Sequence, residues 1–113
     1  MHELAIALSI LDVAAEEARN RGLGKVRQIH LRLGPLSGVV KEALLPAFEL
    51  ARATSPLTDA TLVIEDMPIL IACPRCRVER PVQSLQDHGC AVCGAPAEVT
   101  GGRELEIVAL EVE

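Results

Sequence analysis

The chain has 113 residues, which is enough for one compact core or for a smaller core with a stapled subdomain. Sixteen acidic and eleven basic residues give a formal charge of −5, and Phe48 is the single aromatic residue. Nucleic-acid binding is therefore disfavoured, since it needs a basic face and platforms for base stacking. No apolar run approaches the roughly 20 residues of a membrane span, and no basic residue precedes the apolar start as in a secretory signal.

The first part of the chain predicts a helix followed by a strand. From Leu4 through Leu8 to Ala18, aliphatic residues recur on one side of a helix and polar residues on the other. Gly22 comes just after the last periodic residue and is expected to end the helix. Over residues 25–33 the period changes to two, which predicts a half-buried strand.

The middle of the chain predicts a second helix, a second strand and a segment of different composition. Helical spacing returns over residues 39–53, with Val40 on the apolar face, and Pro46 is expected to kink this helix or to mark a late start. Residues 61–67 predict the second strand. Residues 73–102 hold all four cysteines, three of the seven prolines and four of the eight glycines. This segment therefore needs a cross-link, such as a metal ion or disulfides, in place of a hydrophobic core.

The four cysteines form two pairs, Cys73 with Cys76 and Cys90 with Cys93, separated by thirteen residues. Two such pairs complete the tetrahedral environment of a structural zinc ion, and Gly94 allows the backbone to turn close to the sulfur. Four protein ligands leave no open position for hydrolytic chemistry. We expect the chain in the cytoplasm, where disulfides are disfavoured. A redox CxxC pair and a rubredoxin-like iron site compete with zinc as interpretations of these cysteines.

A third strand is predicted over residues 104–112. Its faces do not alternate cleanly, because Ile107 and Leu110 have opposite parity, which indicates a bulge or burial on both faces. The predicted fold class is α+β, with two helices covering a three-stranded sheet and an inserted zinc-ribbon-like domain. Residues 1–70 together with 102–113 are expected to form the α/β domain, and residues 71–101 to form the insert before the last strand.

The start of the chain, Met1-His2-Glu3, offers a second set of metal donors. The α-amine and the His2 amide nitrogen close a five-membered chelate ring, and that amide with the imidazole Nδ1 closes a six-membered ring. Glu3 offers its amide nitrogen or its carboxylate as a fourth donor, and nitrogen-rich square-planar ligation suits Ni(II) or Cu(II). From spacing alone, an exposed histidine at a frayed end is the competing interpretation.

Two further histidines are candidates for lesser roles. His30 lies among polar strand positions and is interpreted as an exposed or hydrogen-bonded strand residue. His88 stands two residues before Cys90, so it is expected to support the zinc loop or to bind metal weakly.

Motifs spread along the whole chain are similar to those of one family. They are Met1-His2-Glu3-Leu4, the loop Leu33-Gly34-Pro35-Leu36-Ser37-Gly38, the pair Phe48-Glu49, the two CxxC pairs, Glu104-Leu105, and the closing Leu110-Glu111-Val112-Glu113. On these residues the chain resembles the HypA/HybF nickel metallochaperones of hydrogenase maturation. One departure is Ala91 after the first cysteine of the second pair, where many members have proline; the thiolates themselves are unaffected.

The resemblance implies a nickel-binding α/β domain, with Ni(II) bound by Met1, His2 and Glu3, and a structural domain with Zn(II) bound by the four cysteines. It also implies delivery of nickel to a hydrogenase-maturation GTPase and to the hydrogenase large subunit, with urease maturation proteins as further candidate partners. Neither nucleic acid nor a membrane is expected as a partner. No enzyme is expected, because the sequence has no phosphate-binding glycine loop, no nucleophile motif and no open zinc site. The alternative function is a zinc-ribbon protein-interaction module without a specific nickel role.

Overall fold

The computed structural model describes residues 2–82, 89–90 and 92–113 of the chain. The predicted helices and strands are confirmed in these residues, with ends that differ by one or two positions. Neither helix in this part of the chain has the length and apolarity that a membrane span requires. The helices are α1 (Glu3–Asn20) and α2 (Lys41–Arg52), and the strands are β1 (Val26–Leu33), β2 (Thr61–Asp66), β3 (Ile69–Cys73), β4 (Val78–Val82), β5 (Glu98–Gly101) and β6 (Leu105–Val112).

The first sheet consists of β2, β1 and β6 in that order. β1 runs parallel to β2 and antiparallel to β6. Parallel neighbours need a crossover connection, and the segment that carries α2 supplies it. Both helices pack on one face of this sheet. The main core between them includes Ala7, Leu11 and Ala14 of α1, Ile29, Leu31 and Leu33 of β1, and Leu44, Phe48 and Ala51 of α2.

A bulge explains the irregular pattern of the last strand. β6 carries an extra residue, Val108, between the partners of His30 and Leu31 on β1. An extra residue reverses the parity of the side chains that follow it. Ile107 and Leu110 therefore both pack against the main core, and the predicted bulge is confirmed.

A second sheet, which no sequence pattern indicated, consists of β4, β3 and β5 in that order, with antiparallel pairing throughout. Its strands have only four or five residues, and β4 contains charged residues and Pro81, so their hydrophobic periodicity is too short to detect. Within the described residues, the buried cluster beside this sheet is formed by Cys73, Cys90 and Ala95, with the other two cysteines packed against it.

The expected burial of three apolar side chains on the helices is wrong. The periodicity places Leu4 and Leu8 on the buried side of α1, but both are exposed, and Val40 is an exposed cap that precedes α2. Of the two alternatives for Pro46, the late start is excluded, because α2 begins before Pro46 and continues through it. Proline removes the donor for the Glu42 carbonyl, but both residues are exposed, so water can satisfy that carbonyl.

The chain returns to the first sheet at a tight crossing with the loop after β1. Gly34 donates its N–H to the Glu104 carbonyl at 2.8 Å, and Leu36 donates to the Gly102 carbonyl at 2.6 Å. A Cβ atom on Gly34 would overlap the Gly102 carbonyl oxygen. Glycine is therefore required at this position by the close approach of two backbone segments.

Replacing Gly34 with alanine is expected to destabilise the chain by about 1–3 kcal/mol, the usual cost of forcing extra volume into a packed site. Gly89→Ala is the matched control, since a Cβ atom there would meet nothing closer than 3.7 Å. Denaturant unfolding of both variants measures the change in the free energy of unfolding. A Gly34→Ala variant as stable as the native chain would contradict the close approach.

Candidate metal centres

The two cysteine pairs fold as similar knuckles. In each knuckle the residue after the second cysteine donates its N–H to the carbonyl of the first, Arg77 to Cys73 at 2.8 Å and Gly94 to Cys90 at 2.7 Å. Arg77 and Gly94 have positive φ angles of 57° and 72°. The turn predicted at Gly94 is confirmed. Arg77 adopts the same left-handed conformation, which is strained for a residue with a Cβ atom.

The four sulfur atoms lie within 4.8 Å of one another, and none is in a disulfide. Cys73 Sγ is 3.4 Å from Cys93 Sγ, and Cys76 Sγ is 3.9 Å from Cys90 Sγ. A tetrahedral ion with metal–sulfur bonds of about 2.3 Å places its ligands about 3.8 Å apart. The cluster therefore has the size of a single four-coordinate metal site.

Neighbouring groups shift the pKa values of these thiols in opposite directions. Backbone N–H groups of Cys93 and Val92 lower the pKa of the Cys90 thiol to about 6. Hydrogen bonds with the Cys93 thiol, and then with the two remaining thiols, raise the pKa of the Cys76 thiol to about 12. Four sulfur atoms this close cannot all ionise unless a cation offsets their charge, so the donor set suits a divalent ion.

At the other candidate site, His2 is the N-terminal cap of α1 and Glu3 is the first helical residue. His2 is exposed, and its carbonyl accepts a hydrogen bond from the Ile6 N–H at 2.9 Å. Oε2 of Glu3 accepts a hydrogen bond from the Val40 N–H, just before α2, at 3.3 Å. The charged amino terminus and then this Val40 amide lower the pKa of the Glu3 carboxyl, which therefore stays ionised. Met1 lies outside the described residues.

The remaining histidines do not add to these centres. His30 Nε2 lies 3.7 Å from Glu111 Oε1 on the open face of the first sheet, in line with its interpretation as a strand residue. His88 lies outside the described residues. In the ranges that the structure describes, only the four cysteines bring three or more His, Cys, Asp or Glu side chains close enough to share an ion.

A family model described as "Hydrogenase/urease nickel incorporation, metallochaperone, hypA" matches residues 1–112. The chain belongs to the HypA family. The hydrogenase maturation factor HypA of Chloroflexus aurantiacus is 40% identical over 112 residues, which cover 98% of each chain. The hydrogenase maturation factor HypA of Roseiflexus sp. is 41% identical over 114 residues, covering 100% of this chain and 93% of the relative.

Solved structures of HypA proteins have the same fold. The solution structure of the Ni metallochaperone HypA from Helicobacter pylori covers 99% of this chain and 97% of its own, with a TM-score of 0.70 and 26% identity. Another HypA solution structure covers 100% of this chain and 97% of its own, with a TM-score of 0.72 and 26% identity. The family resemblance and the α+β fold class are confirmed, and the HypA family is one of metallochaperones and not of catalysts.

Proposed function

We propose that this HypA family member is a nickel metallochaperone that binds Ni(II) at its N-terminus and delivers it during maturation of [NiFe] hydrogenase. The observation that carries the proposal is the position of His2, exposed at the start of a helix whose inner face packs into the main core. A carrier site must be accessible both to the incoming ion and to the receiving protein. The family description, nickel incorporation into hydrogenase or urease, supports the same function.

The proposed donors are the α-amine of Met1, the amide nitrogen and imidazole of His2, and one donor from Glu3. As the cap residue, His2 contributes its carbonyl to the helix and not its N–H. Coordination by its amide nitrogen therefore breaks no helical hydrogen bond. Backbone donors are needed here, because no cluster of three ligand side chains includes His2 in the described part of the chain.

The charge balance favours the same ligand set. A cation at the N-terminus of α1 is opposed by the positive end of the helix dipole. A deprotonated His2 amide and one anionic donor from Glu3 cancel the charge of Ni(II). Glu3 supplies the fourth donor, either its amide nitrogen or its carboxylate. The carboxylate also accepts the Val40 N–H and so ties the start of α1 to the segment before α2.

We further propose that Cys73, Cys76, Cys90 and Cys93 bind one Zn(II) with a structural role. The sulfur separations and the opposed pKa shifts of the thiols support this assignment. The proposed domains are residues 1–70 with 102–113 for nickel and residues 71–101 for zinc. The first boundary falls within β3, and the second adjoins the crossing at Gly102.

The proposed partners are a hydrogenase-maturation GTPase that cooperates in nickel delivery and the hydrogenase large subunit that receives the ion. Urease maturation proteins are further candidates, since the family description names both hydrogenase and urease. We propose a cytoplasmic location and no catalytic activity. The first fits four cysteines that form no disulfide, and the second fits a cysteine site that four protein ligands would close.

Nickel titration of the native chain and a His2→Ala variant tests the proposed function. We expect the variant to bind nickel more than about 100-fold more weakly, because even the loss of an outer-shell partner of a metal ligand costs about 10–100-fold. His30→Ala is the matched control, since His30 is an imidazole on β1 that pairs with Glu111. Equal nickel affinity of the His2→Ala and native chains would contradict the proposal and favour a zinc-ribbon interaction module.

A further inference from the structure

β6 is an edge strand of the first sheet. It pairs with β1 on one side, and no strand within the described ranges pairs with its other side. It has eight residues, the same length as β1. A free edge of this length presents a row of main-chain N–H and C=O groups that another strand can join.

A groove of about 380 Å³ lies beside this free edge, between β6 and the C-terminal half of α1. Val13, Leu23 and Val108 contribute apolar side chains to it, with exposed fractions of 56%, 37% and 43%. The ion pair of Glu17 with Arg21 also lines the groove. Uncovered apolar side chains between a helix and a strand edge mark the place where the side chains of a fourth strand would lie.

The free edge is acidic, since the two charged residues of β6 are both glutamates. Glu106 and Glu111 lie on the open face of the sheet with side chains that are 55% and 60% exposed. Their neighbours on β1 are Arg32 at 3.9 Å and His30 at 3.7 Å. Exposed pairs at such distances are weak, so both carboxylates are available to a closer cation.

We propose that β6 binds an extended segment of a partner protein as a fourth strand of the first sheet. Successive side chains of a strand point to opposite faces. Aliphatic side chains of the segment would therefore fill the groove, while lysine or arginine side chains would lie beside Glu106 and Glu111. The chemistry recognised is an alternation of basic and aliphatic residues, and this binding depends on neither metal centre.

The same glutamates disfavour a second copy of this chain as the occupant. In an antiparallel pairing of two β6 strands centred between Val108 and Ala109, Glu106 of one copy would lie opposite Glu111 of the other. Like charges directly opposite each other destabilise a strand pair. The acidic edge therefore selects against self-pairing in this register, while it accepts a basic strand.

A blocked octapeptide that alternates lysine and valine is the probe, titrated into the full chain. We expect new hydrogen-exchange protection at the β6 amides that point away from β1, and chemical-shift changes at Val13, Leu23 and Val108. One control peptide alternates glutamate and valine, and another is the lysine peptide N-methylated along the edge that would join β6. The glutamate peptide loses the charge pairing with Glu106 and Glu111, and the N-methylated peptide loses the main-chain hydrogen bonds to β6. Each is expected to bind at least about tenfold more weakly than the lysine peptide.

Charge reversal on the protein completes the test. The Glu106→Lys, Glu111→Lys double variant should prefer the glutamate peptide, whereas Glu98→Lys, on the edge strand β5 of the second sheet, should bind as the native chain does. Equal binding of the N-methylated peptide would indicate charge attraction without strand addition and overturn the proposal. A dimer of the chain alone, with the β6 amides protected and no peptide binding, would overturn it in favour of a second copy.

Discussion

Adding glycine and serine before Met1 is expected to abolish tight nickel binding while every side chain stays in place. The proposed ligands include the α-amine, and an added residue converts this amine into an amide, whose nitrogen can bind a metal only after it loses a proton. The five-membered chelate ring with the His2 amide then no longer forms with a neutral donor, and a further anionic nitrogen would unbalance the charge of Ni(II). α1 should persist, because its buried residues begin at Ala7.

Calorimetric titration and the absorption spectrum of the nickel complex measure this effect. We expect affinity to fall more than about 100-fold, as for the loss of a metal ligand. The same two residues added after Glu113 are the matched control and should leave nickel binding unchanged. Zinc content should be the same in both extended proteins. An N-terminally extended chain with native affinity and spectrum would show that the α-amine is not a ligand, with His88 the next candidate.

Replacing Cys76 with alanine is expected to release zinc and unfold the second sheet while the first sheet and both helices persist. Structural zinc supplies about 10–16 kcal/mol of apparent binding free energy in zinc-finger peptides, as much as the whole stability of a typical domain. The buried cluster beside the second sheet is mostly cysteine, so little else replaces the ion. Among the described residues, the main core takes none from 69–101, so it should keep its packing.

Residue-resolved hydrogen exchange after treatment with a chelator separates these outcomes. Protection should be lost across β3, β4 and β5 and kept in α1 and β1. Arg75→Ala is the matched control, because Arg75 is an exposed residue of the same knuckle that carries no sulfur. Should Cys76→Ala keep native protection in β3 to β5, the structural role of zinc would be wrong.

The sequence alone was sufficient wherever the signal is local. Helical and strand periodicities are set by residues three, four or two positions apart, so the two helices and the three strands of the first sheet could be predicted. The cysteine site was equally readable, because the two-residue spacing within each pair is itself the geometry that one ion requires. The family was indicated by short motifs spread along the chain, which include the consecutive residues proposed to bind nickel, Met1, His2 and Glu3.

Only the tertiary structure decided the features that depend on pairing between distant segments. The second sheet is built from strands too short to show a period. β4 and β5 form because each pairs with one edge of β3. The contact of Glu3 with Val40, and the need for glycine at position 34, depend on backbones that meet from far apart in the chain. The free edge of β6 has the same origin. Its sequence predicts a strand, but which edge stays unpaired follows from the order of strands in the sheet, and that order is a property of the whole packed chain.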